Sequence, residues 1–355
     1  MFSNNLGVFL LGKDNKGWSI DKDRIHAKNF LNRIDGVKLL ENKYEILFAD
    51  IVHCVWYNFL INAKVYYLLY LLKYLTNLKV SAVITNQIDL YEDRFDRLSG
   101  LVDIWVYPNK YIKDFLDKKG VESVYIPFYV DRQVFTENSK YNRESVCDYF
   151  DLDYDKLKDK FLIGSFQRDS LGEDLSQPKW QKNPDLLLEI VRQLPSDRVE
   201  LILAGPRRHY IINKAEKLGL SYTFVGNESY IRKNQDDFET ENNLSSEDLA
   251  RLYNIIDLYL ITSESETGPK SVLESSLCGA LTMSTDVGMS SEVFHNELIY
   301  SSDNPEEAVS FIKNIIESNA EINEYLDYNR KHVKKLIDDN KMKERYNSII
   351  QNLKQ

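Results

Sequence analysis

The segment "DLYLITSESETGPKSVLESSLCGALTMST", residues 257–285, decides the fold class of this chain. Its pattern predicts a strand, a polar loop, a helix and a second strand. Gly268 permits a close backbone approach in the loop, Pro269 suits the first helical position, and Gly279 suits the helix end. Such a unit is typical of a parallel sheet covered by helices, in which ligands bind at the carboxyl ends of the strands.

Two acidic residues stand out in this segment, Glu266 in the loop and Glu274 in the helix. Their spacing alone carries little information, because 55 of the 355 residues are acidic. Their setting says more, since the start of a helix offers free backbone N–H groups and a positive dipole end to an anion such as a diphosphate. Glu274 would then reach a pair of ribose hydroxyls, and Glu266 would face whatever is attached to the far phosphate.

The alternation of strands and helices extends outward over the whole chain. The first part contains five predicted strands, "LGVFLLG", "DIVHCVW", "SAVITN", "DIWVYP" and "SVYIP", and a helix over Lys110–Lys119 that Asn109 caps and Gly120 ends. The second part contains five more, "FLIGSFQ", "VELILAG", "YTFVG", "DLYLITS" and "ALTMST", with helices between them. We therefore predict an α/β chain of two Rossmann-like domains.

The domain limits follow from where this alternation breaks. Residues 1–135 are predicted to form the first domain and residues 161–328 the second. The polar stretch 136–160 between them is predicted to be a linker, and residues 329–355 a helix that crosses back to the first domain.

Charge and cysteine content limit the function classes. A net charge of −10 argues against a nucleic-acid surface and against electrostatic recruitment to acidic lipids, although a local basic patch stays open. Cys54, Cys147 and Cys278 lie far apart without a Cys-x-x-Cys pair, which favours a reducing compartment, and the first residues lack the basic region of a signal peptide. We expect a cytoplasmic protein.

The most apolar segment is "NAKVYYLLYLLKYLTNL", residues 62–78. Lys64 and Lys73 leave too short an uninterrupted apolar run to span a bilayer. We predict a buried or half-buried helix. A helix that also makes a peripheral contact with the inner face of a membrane stays open as the alternative.

The second half of the chain resembles a known family. "SESETGPKSVLESSLCGA" followed by "STDVGMSSEV" is similar to the Glu-x7-Glu signature of the retaining GT-B glycosyltransferases of group 1, which use nucleotide-sugar donors. The resemblance continues through "LITSES", "TFVGN", "VELILAGPRR" and "IGSFQRD", and it is weaker in the first domain. It implies the GT-B fold, in which two Rossmann-like domains face a cleft.

The resemblance also implies roles for individual residues. Glu274 would hold the ribose hydroxyls, while Glu266 and the backbone from Thr267 to Lys270 would hold the donor sugar and its phosphates. Arg168 and Lys182 match the basic pair that contacts the diphosphate, so Glu266, Arg168 and Lys182 are the predicted catalytic residues of this domain. The donor site also takes in Gly268, Pro269, Lys270, Ser271, Gly226 and Asn227.

The chemistry explains why such a basic pair is needed. Negative charge accumulates on the leaving diphosphate as the glycosidic bond breaks, so fixed cations stabilise the transition state more than the ground state. An Arg and a Lys can together take the place of a metal ion. We expect neither a metal nor another cofactor, and the His residues show no metal-ligand spacing. The triplet Asp151–Asp153 resembles a metal-binding Asp-x-Asp, but its polar setting favours a solvated loop.

The first domain departs from the family. Many members carry a His after a strand resembling "SAVIT", where this chain has Asn86. His53 ends another predicted strand and is the remaining catalytic candidate, with a core histidine as the alternative. Trp18 could stack on a sugar, and Asp21 and Asn86 could bind acceptor hydroxyls, although a plain surface loop around Trp18 is equally compatible with the sequence.

The resemblance therefore implies a retaining glycosyltransferase. It would move a sugar from a UDP- or GDP-sugar to a hydroxyl of a glycan, glycolipid or protein acceptor, with no nucleic-acid partner. Two alternatives stay open, namely a non-catalytic partner protein that keeps only the sugar-nucleotide site, and a sugar-nucleotide epimerase on the same fold.

Overall fold

Two parallel six-stranded sheets organise the chain, each in its own compact unit. The computed structural model describes residues 5–13, 19–86, 92–170, 172–318 and 321–354. Residues 1–129 and 336–355 form the first unit, and residues 130–335 form the second. The domain limits given above stay a prediction.

The first sheet has the strand order β2-β1-β3-β4-β5-β6. All five pairings within it are parallel. Its strands are β1 (Leu6–Leu11), β2 (Val37–Leu40), β3 (Ile51–Cys54), β4 (Lys79–Val83), β5 (Ile104–Tyr107) and β6 (Ser123–Tyr125). The helices of this unit are α1 (Ser19–Leu31), α2 (Ala63–Leu75), α3 (Glu92–Ser99) and α4 (Lys110–Lys119), with 3-10 helices at Lys43–Phe48 and Tyr57–Ile61.

The second sheet has the strand order β12-β11-β10-β7-β8-β9, again parallel throughout. Its strands are β7 (Phe161–Ser165), β8 (Val199–Ala204), β9 (Tyr222–Val225), β10 (Leu258–Ile261), β11 (Leu281–Thr285) and β12 (Ile299–Tyr300). The remaining helices are α5 (Arg143–Phe150), α6 (Tyr154–Leu157), α7 (Pro184–Arg192), α8 (His209–Lys217), α9 (Ser229–Arg232), α10 (Ser246–Ile255), α11 (Ser271–Cys278), α12 (Ser290–Val293), α13 (Pro305–Ser318), α14 (Asn323–Leu336) and α15 (Asp339–Leu353), with 3-10 helices at Trp180–Lys182 and Asn296–Leu298.

The central strands are buried on both faces because helices cover both sides of each sheet. All residues of β3, β8, β10 and β11 are buried. In the first unit one buried cluster contains Trp105 and Leu69, and the other contains Phe30 and Ile350. This arrangement confirms the predicted α/β class with two Rossmann-like domains.

The predicted strands are all present, and two further strands were missed. Both β2 and β12 lie at the edge of their sheets, and they contain four and two residues. Edge strands this short have little periodicity for a sequence pattern to reveal. The predicted helix limits at Asn109 and Gly120 are confirmed, since Asn109 Oδ1 accepts a hydrogen bond of 2.8 Å from the N–H of Ile112 and Gly120 adopts a φ of 65°.

Residues 136–160, predicted to be a linker, are partly helical. They contain α5 and α6 and lie within the second unit. The Arg143 guanidinium donates to the carbonyls of Lys158 and Lys160 and pairs with Asp257 Oδ2 at 2.5 Å. Asp257 Oδ2 also accepts from the N–H of Leu162, so Arg143 and Asp257 connect this segment to the beginnings of β7 and β10.

The chain returns to the first unit at Leu336. There α15 packs against α1, and its buried face consists of Met342, Tyr346, Ile349, Ile350 and Leu353. The first unit is therefore built from two distant parts of the sequence. Among the described residues, no helix combines the length and the apolar character that a membrane crossing needs.

We expect Ile349→Ala to destabilise the first unit. Ile349 is 1% exposed, and truncating a buried isoleucine to alanine costs about 2–5 kcal/mol because it leaves a cavity. Urea unfolding followed by tryptophan fluorescence should show a lower midpoint. Glu344→Ala, at an exposed position of the same helix, is the matched control and should leave the midpoint unchanged. Equal midpoints for both variants would contradict the packing of α15 described here.

Candidate functional site

The candidate site lies where the strand order of the second sheet reverses. The chain runs from β7 to β8 and β9 on one side, and then places β10 on the other side of β7. The loops after β7 and β10 therefore begin on adjacent strands and lead away in opposite directions, which leaves a crevice between them. Arg168 and Lys182 follow β7, and Glu266 follows β10.

Backbone hydrogen bonds join these two loops directly. The N–H of Glu264 donates to the carbonyl of Gln181 at 2.9 Å, and Thr262 Oγ1 donates to the carbonyl of Lys182 at 3.0 Å. The ammonium of Lys182 forms an ion pair with Glu266 Oε1, and Ser263 Oγ donates to the same oxygen at 3.2 Å. Two of the predicted catalytic residues, Lys182 and Glu266, are thus in contact.

Glu274 lies on α11, where it is half-buried. Its Oε2 accepts a hydrogen bond of 3.2 Å from the hydroxyl of Tyr253, which is 2% exposed. Burial raises the pKa of Tyr253 well above its usual value, so this hydroxyl keeps its proton and remains a donor to Glu274. A carboxylate held in this way can accept further hydrogen bonds from a ligand.

The loop between Glu266 and α11 packs closely against the loop after β11. Gly288 has a φ of 58°, and a Cβ built on it would lie 2.9 Å from the backbone of Thr267 and Gly268. The close approach predicted for Gly268 therefore occurs, but its partner is Gly288. Pro269 does not occupy the first helical position, because α11 begins at Ser271. Its carbonyl instead accepts from the N–H of Val272 at 3.0 Å, which makes a tight turn before the helix.

Arg168 lies against an aromatic ring near a second arginine. The guanidinium carbons of Arg168 and Arg207 lie 4.7 and 4.8 Å from the ring centroid of Phe238. Arg207 Nε donates to Asp236 Oδ1 at 2.9 Å. Within the described part of the chain, Arg168 pairs with no carboxylate, and burial together with Arg207 lowers its pKa. Its aromatic contact orients the guanidinium while its donors stay available.

A buried ion pair supports this cluster. Arg208 is fully buried, with Nε 3.1 Å from Asp169 Oδ2 and Nη2 donating to Ser165 Oγ at 3.1 Å. Burial raises the pKa of Asp169 to about 6, although the charge of Arg208 opposes this. Arg208 Nη1 is buried without a hydrogen-bond partner among the described residues.

Lys179 is a further cation that the sequence analysis missed. It precedes the 3-10 helix that carries Lys182, and its N–H donates to the carbonyl of Asp169. Burial and the neighbouring Arg168 lower its pKa to about 8. Burial, Lys179 and Arg168 also lower the pKa of Lys182, while the Glu266 carboxylate supplies an opposite charge in contact with it. The only signal in the sequence was the spacing "KWQK", which is common on protein surfaces.

The cluster therefore carries more positive than negative charge. Lys182, Arg207 and Arg208 have carboxylate partners, whereas Arg168 and Lys179 have none within the described residues. Partly buried cations without counter-charges are costly, and an anion with more than one charge would relieve that cost. The arrangement can thus bind a phosphorylated group beside the half-buried Glu274.

Gly226 and Asn227 lie away from this cluster. They follow β9, which is separated from β7 by β8. The N–H of Asn227 donates to Asn242 Oδ1 at 2.7 Å, and Asn227 Oδ1 accepts from the N–H of Ser229 at 3.0 Å. Asn227 thus organises the loop that follows β9, and none of the contacts described here joins it to Glu266 or Glu274.

His53 lies inside the first unit. It is 2% exposed within β3, its Nδ1 is 2.9 Å from Ser81 Oγ, and burial lowers its pKa to about 4. Its Nε2 has no partner among the described residues and borders a cavity of about 30 Å³, which has room for one or two water molecules. This setting supports the alternative of a core histidine that stays neutral near pH 7.

The other first-unit candidates are placed as follows. Asn86 Oδ1 accepts from Trp56 Nε1 at 3.2 Å, and Asn86 Nδ2 donates to the hydroxyl of Tyr57 at 3.1 Å, so local contacts already use its amide. Asp21 lies in the first turn of α1. Trp18 falls outside the described residues.

The Asp151–Asp153 triplet caps two helices. Asp151 ends α5 with a φ of 55°, and Asp153 accepts from the N–H of Lys156 at the start of α6. Asp151 thus acts through its backbone and Asp153 through its carboxylate, and both are exposed, as expected for a solvated loop. Among the described residues, no three His, Cys, Asp or Glu side chains are grouped so that they could hold a metal ion.

The protonation of Lys179 predicts how anion binding depends on pH. We expect sulfate to bind with constant affinity below about pH 8 and to weaken at higher pH, by up to about tenfold per pH unit, because the neutral amine no longer attracts an anion. Thermal unfolding against sulfate concentration from pH 6.5 to 9.5 measures this. Lys179→Arg should remove the decline, and Lys179→Met should bind more weakly at low pH. Lys217→Met, at an exposed position on α8, is the matched control and should bind sulfate as the wild type does. If the affinity of Lys179→Arg for sulfate still declines above about pH 8, this assignment is wrong.

Comparisons with known proteins bear on the family and the fold of the chain. Residues 175–333 match the family of glycosyl transferases group 1. HepE of Anabaena, solved with UDP and glucose, has 13% sequence identity and a TM-score of 0.71 over 98% of this chain and 100% of HepE. HepE was also solved with UDP-glucose, again with a TM-score of 0.71.

Two further solved structures share the fold. Sucrose-phosphate synthase of Thermosynechococcus elongatus has 12% identity and a TM-score of 0.69 over 98% of this chain and 99% of its own. TarM of S. aureus has 14% identity and a TM-score of 0.57 over 84% of this chain and 54% of TarM. No curated protein matches the chain in sequence. The match to the glycosyl transferases group 1 family thus covers residues 175–333, and the chain shares the GT-B fold over 98% of its length.

Proposed function

We propose that this glycosyltransferase transfers a sugar from a nucleotide-diphosphate donor to a hydroxyl of a glycan, glycolipid or protein acceptor, with retention of the anomeric configuration. The second unit binds the donor at the crevice between β7 and β10. Arg168, Lys179 and Lys182 contact the diphosphate, and Glu274 accepts hydrogen bonds from the ribose hydroxyls. The enzyme requires no metal ion.

One observation carries this proposal. Cations that have no carboxylate partner in the described residues lie beside a carboxylate that is held in place by a hydrogen bond. Arg168 and Lys179 have no carboxylate partner in the described residues, and Arg208 Nη1 is buried without one. Glu274 is held by Tyr253 OH. A nucleoside diphosphate offers both complements, since its phosphates need cations and its ribose offers two adjacent hydroxyl donors.

UDP is the favoured nucleotide. HepE, which shares the fold over its whole length, was solved with UDP and with UDP-glucose. A GDP-sugar is the second donor to test, because the sequence of this chain distinguishes neither base.

The cations stabilise the leaving diphosphate more strongly as the reaction proceeds. The bond between the anomeric carbon and the phosphate oxygen breaks, the acceptor oxygen bonds to the same face of that carbon, and the acceptor proton passes to the leaving diphosphate. Charge on the diphosphate grows during this step, and Arg168 and Lys182 stabilise it in place of a metal ion.

Glu266 has a role on the same path. Its carboxylate forms an ion pair with Lys182. A bound diphosphate competes for the Lys182 ammonium, which frees Glu266 to accept hydrogen bonds from the donor sugar hydroxyls. Glu266 thus holds the Lys182 side chain in place beside the proposed diphosphate site.

Thermal unfolding with UDP, GDP, ADP and UMP tests the donor site. We expect one nucleoside diphosphate to stabilise the wild type, with or without EDTA, by about 2.7 kcal/mol at 100 times its dissociation constant. Glu274→Gln should lose most of this stabilisation because it weakens the contact with the ribose. Glu306→Gln, at an exposed position at the start of α13, should behave as the wild type. If no nucleotide stabilises the wild type, or if Glu274→Gln responds fully, the assigned donor site is wrong.

Turnover tests the transfer step. With UDP-glucose or GDP-mannose as donor and octyl glucoside or p-nitrophenyl glycosides as acceptors, we expect release of the nucleoside diphosphate and a product whose anomeric configuration, read by NMR, matches the donor. Lys182→Ala should lower kcat about 10²–10³-fold with a smaller change in the donor KM, since the charge it stabilises appears in the transition state. Lys182→Arg should recover part of the rate. An inverted product would refute retention, and an unchanged kcat in Lys182→Ala would refute its assigned role.

A further inference from the structure

One helix of the first unit is apolar on its outer face as well as on its inner face. The inner face of α2 enters the core through Leu69 and Leu72. Six other apolar and aromatic side chains of α2 are 37–83% exposed, and we call them the α2 face: Tyr67, Leu68, Tyr70, Leu71, Tyr74 and Leu75. At 100° per residue they cover a stripe about 160° wide. A contiguous exposed surface of this kind marks an interaction site.

A neighbouring element adds to this surface. The 3-10 helix Lys43–Phe48 exposes Tyr44, Leu47 and Phe48 by 49–79%. Its buried residue Ile46 enters the same core cluster as Leu69, so this helix and α2 cover the same side of the sheet. Nine exposed apolar or aromatic side chains therefore lie on one side of the first unit.

The segment that carries the α2 face is charged oppositely to the whole chain. Residues 51–88 contain Lys64, Lys73 and Lys79 but no Asp or Glu, whereas the average composition would place roughly six acids there. Lys73 is paired with Asp103, and Lys64 lies exposed at the start of α2. The neighbouring 3-10 helix adds Lys43 and Glu45, and the Glu45 carboxylate already accepts hydrogen bonds from the N–H groups of Glu41 and Asn42. In a chain with a net charge of −10, residues 51–88 are thus a local segment without acidic residues.

We propose that the α2 face docks on the surface of a lipid bilayer that contains anionic lipids. Tyrosine is enriched at membrane–water interfaces because its ring is apolar and its hydroxyl is polar, and three of the six side chains are tyrosines. The leucines enter the upper acyl region, and Lys64 lies beside headgroup phosphates. A helix of 13 residues is about 20 Å long, so α2 lies in the plane of the membrane and does not cross it.

A second copy of the chain fits this surface less well. A stable dimer interface needs about 20–30 residues on each side, so a second copy would require further surface around the nine side chains named above. In a two-fold symmetric contact the same patch meets itself, so a carboxylate partner for Lys64 would have to come from this patch. No acidic residue in 51–88 is present to pair with it.

Vesicle flotation of the full-length chain tests this proposal. The vesicles are phosphatidylcholine alone, or phosphatidylcholine with 30% phosphatidylglycerol. We expect the wild type to float with the anionic vesicles, less so at high salt, and weakly with the neutral ones. The triple variant Leu71→Gln, Tyr74→Gln, Leu75→Gln should bind at least tenfold more weakly. A matched control replaces one tyrosine and two aliphatic residues exposed elsewhere, Ile25→Gln, Tyr154→Gln and Leu218→Gln, and should bind as the wild type.

Two further measurements separate docking from other effects. Tryptophan at position 74, introduced as Tyr74→Trp, should be quenched by brominated lipids, whereas Tyr154→Trp should not be quenched. The triple variant should keep its stabilisation by nucleoside diphosphate, which shows that its fold and donor site are intact. Lys64→Gln should reduce binding to anionic vesicles only.

The opposite results overturn the proposal. The proposal is wrong if the wild type floats with neither kind of vesicle, if the triple variant floats as well as the control, or if the tryptophan of Tyr74→Trp is not quenched. A dimer in analytical ultracentrifugation that the triple variant dissociates would assign the α2 face to a second copy instead.

Discussion

The reversal of strand order between β7 and β10 is the constraint on which the candidate site depends. Because the chain continues from β7 towards β8 and later returns to place β10 on the other side of β7, the two following loops diverge and leave a crevice. The hydrogen bonds from Thr262 and Glu264 to the 181–182 backbone hold the loops at a defined separation. Lys182 and Glu266 meet because of this topology, although 84 residues separate them in the sequence.

The charged residues at this crevice differ in how deeply they are buried and in how they are paired. The deepest is the buried pair Arg208 and Asp169, which is neutral as a unit when both are ionised. Above it, Arg168 and Lys179 lack carboxylate partners in the described residues, and Lys182 is balanced by Glu266. Burial lowers the pKa of Lys179 to about 8, which shows how costly its charge is without a ligand. A site of this kind stores unfavourable electrostatic energy that an anionic ligand relieves, which is why the cations and the proposed diphosphate belong together.

The first unit is stabilised by helices that pack on both sides of its sheet. Its sheet is covered on one side by α1 and by α15, which returns from the far end of the chain, and on the other side by α2 and its neighbours. The side formed by α2 leaves aromatic and leucine side chains in solvent, whereas Lys73 bridges to Asp103 and so ties the inner edge of α2 to the sheet. Rigid attachment of an apolar outer face is consistent with docking to a surface, because a firmly held helix loses little further conformational freedom when it binds.

The sequence by itself determined the α/β class, ten of the twelve strands that the described residues form, and the helix that Asn109 and Gly120 delimit, because apolar periodicity and capping chemistry act over a few residues. It also indicated Arg168, Lys182, Glu266 and Glu274 through a local motif, although their roles stay predictions. Only the tertiary structure decided that Tyr253 holds Glu274, that Gly288 supports Gly268, that Lys179 joins the cations, and that His53 is buried at Ser81. Those contacts join residues far apart in the chain, and strand order, which no local pattern encodes, brings them together.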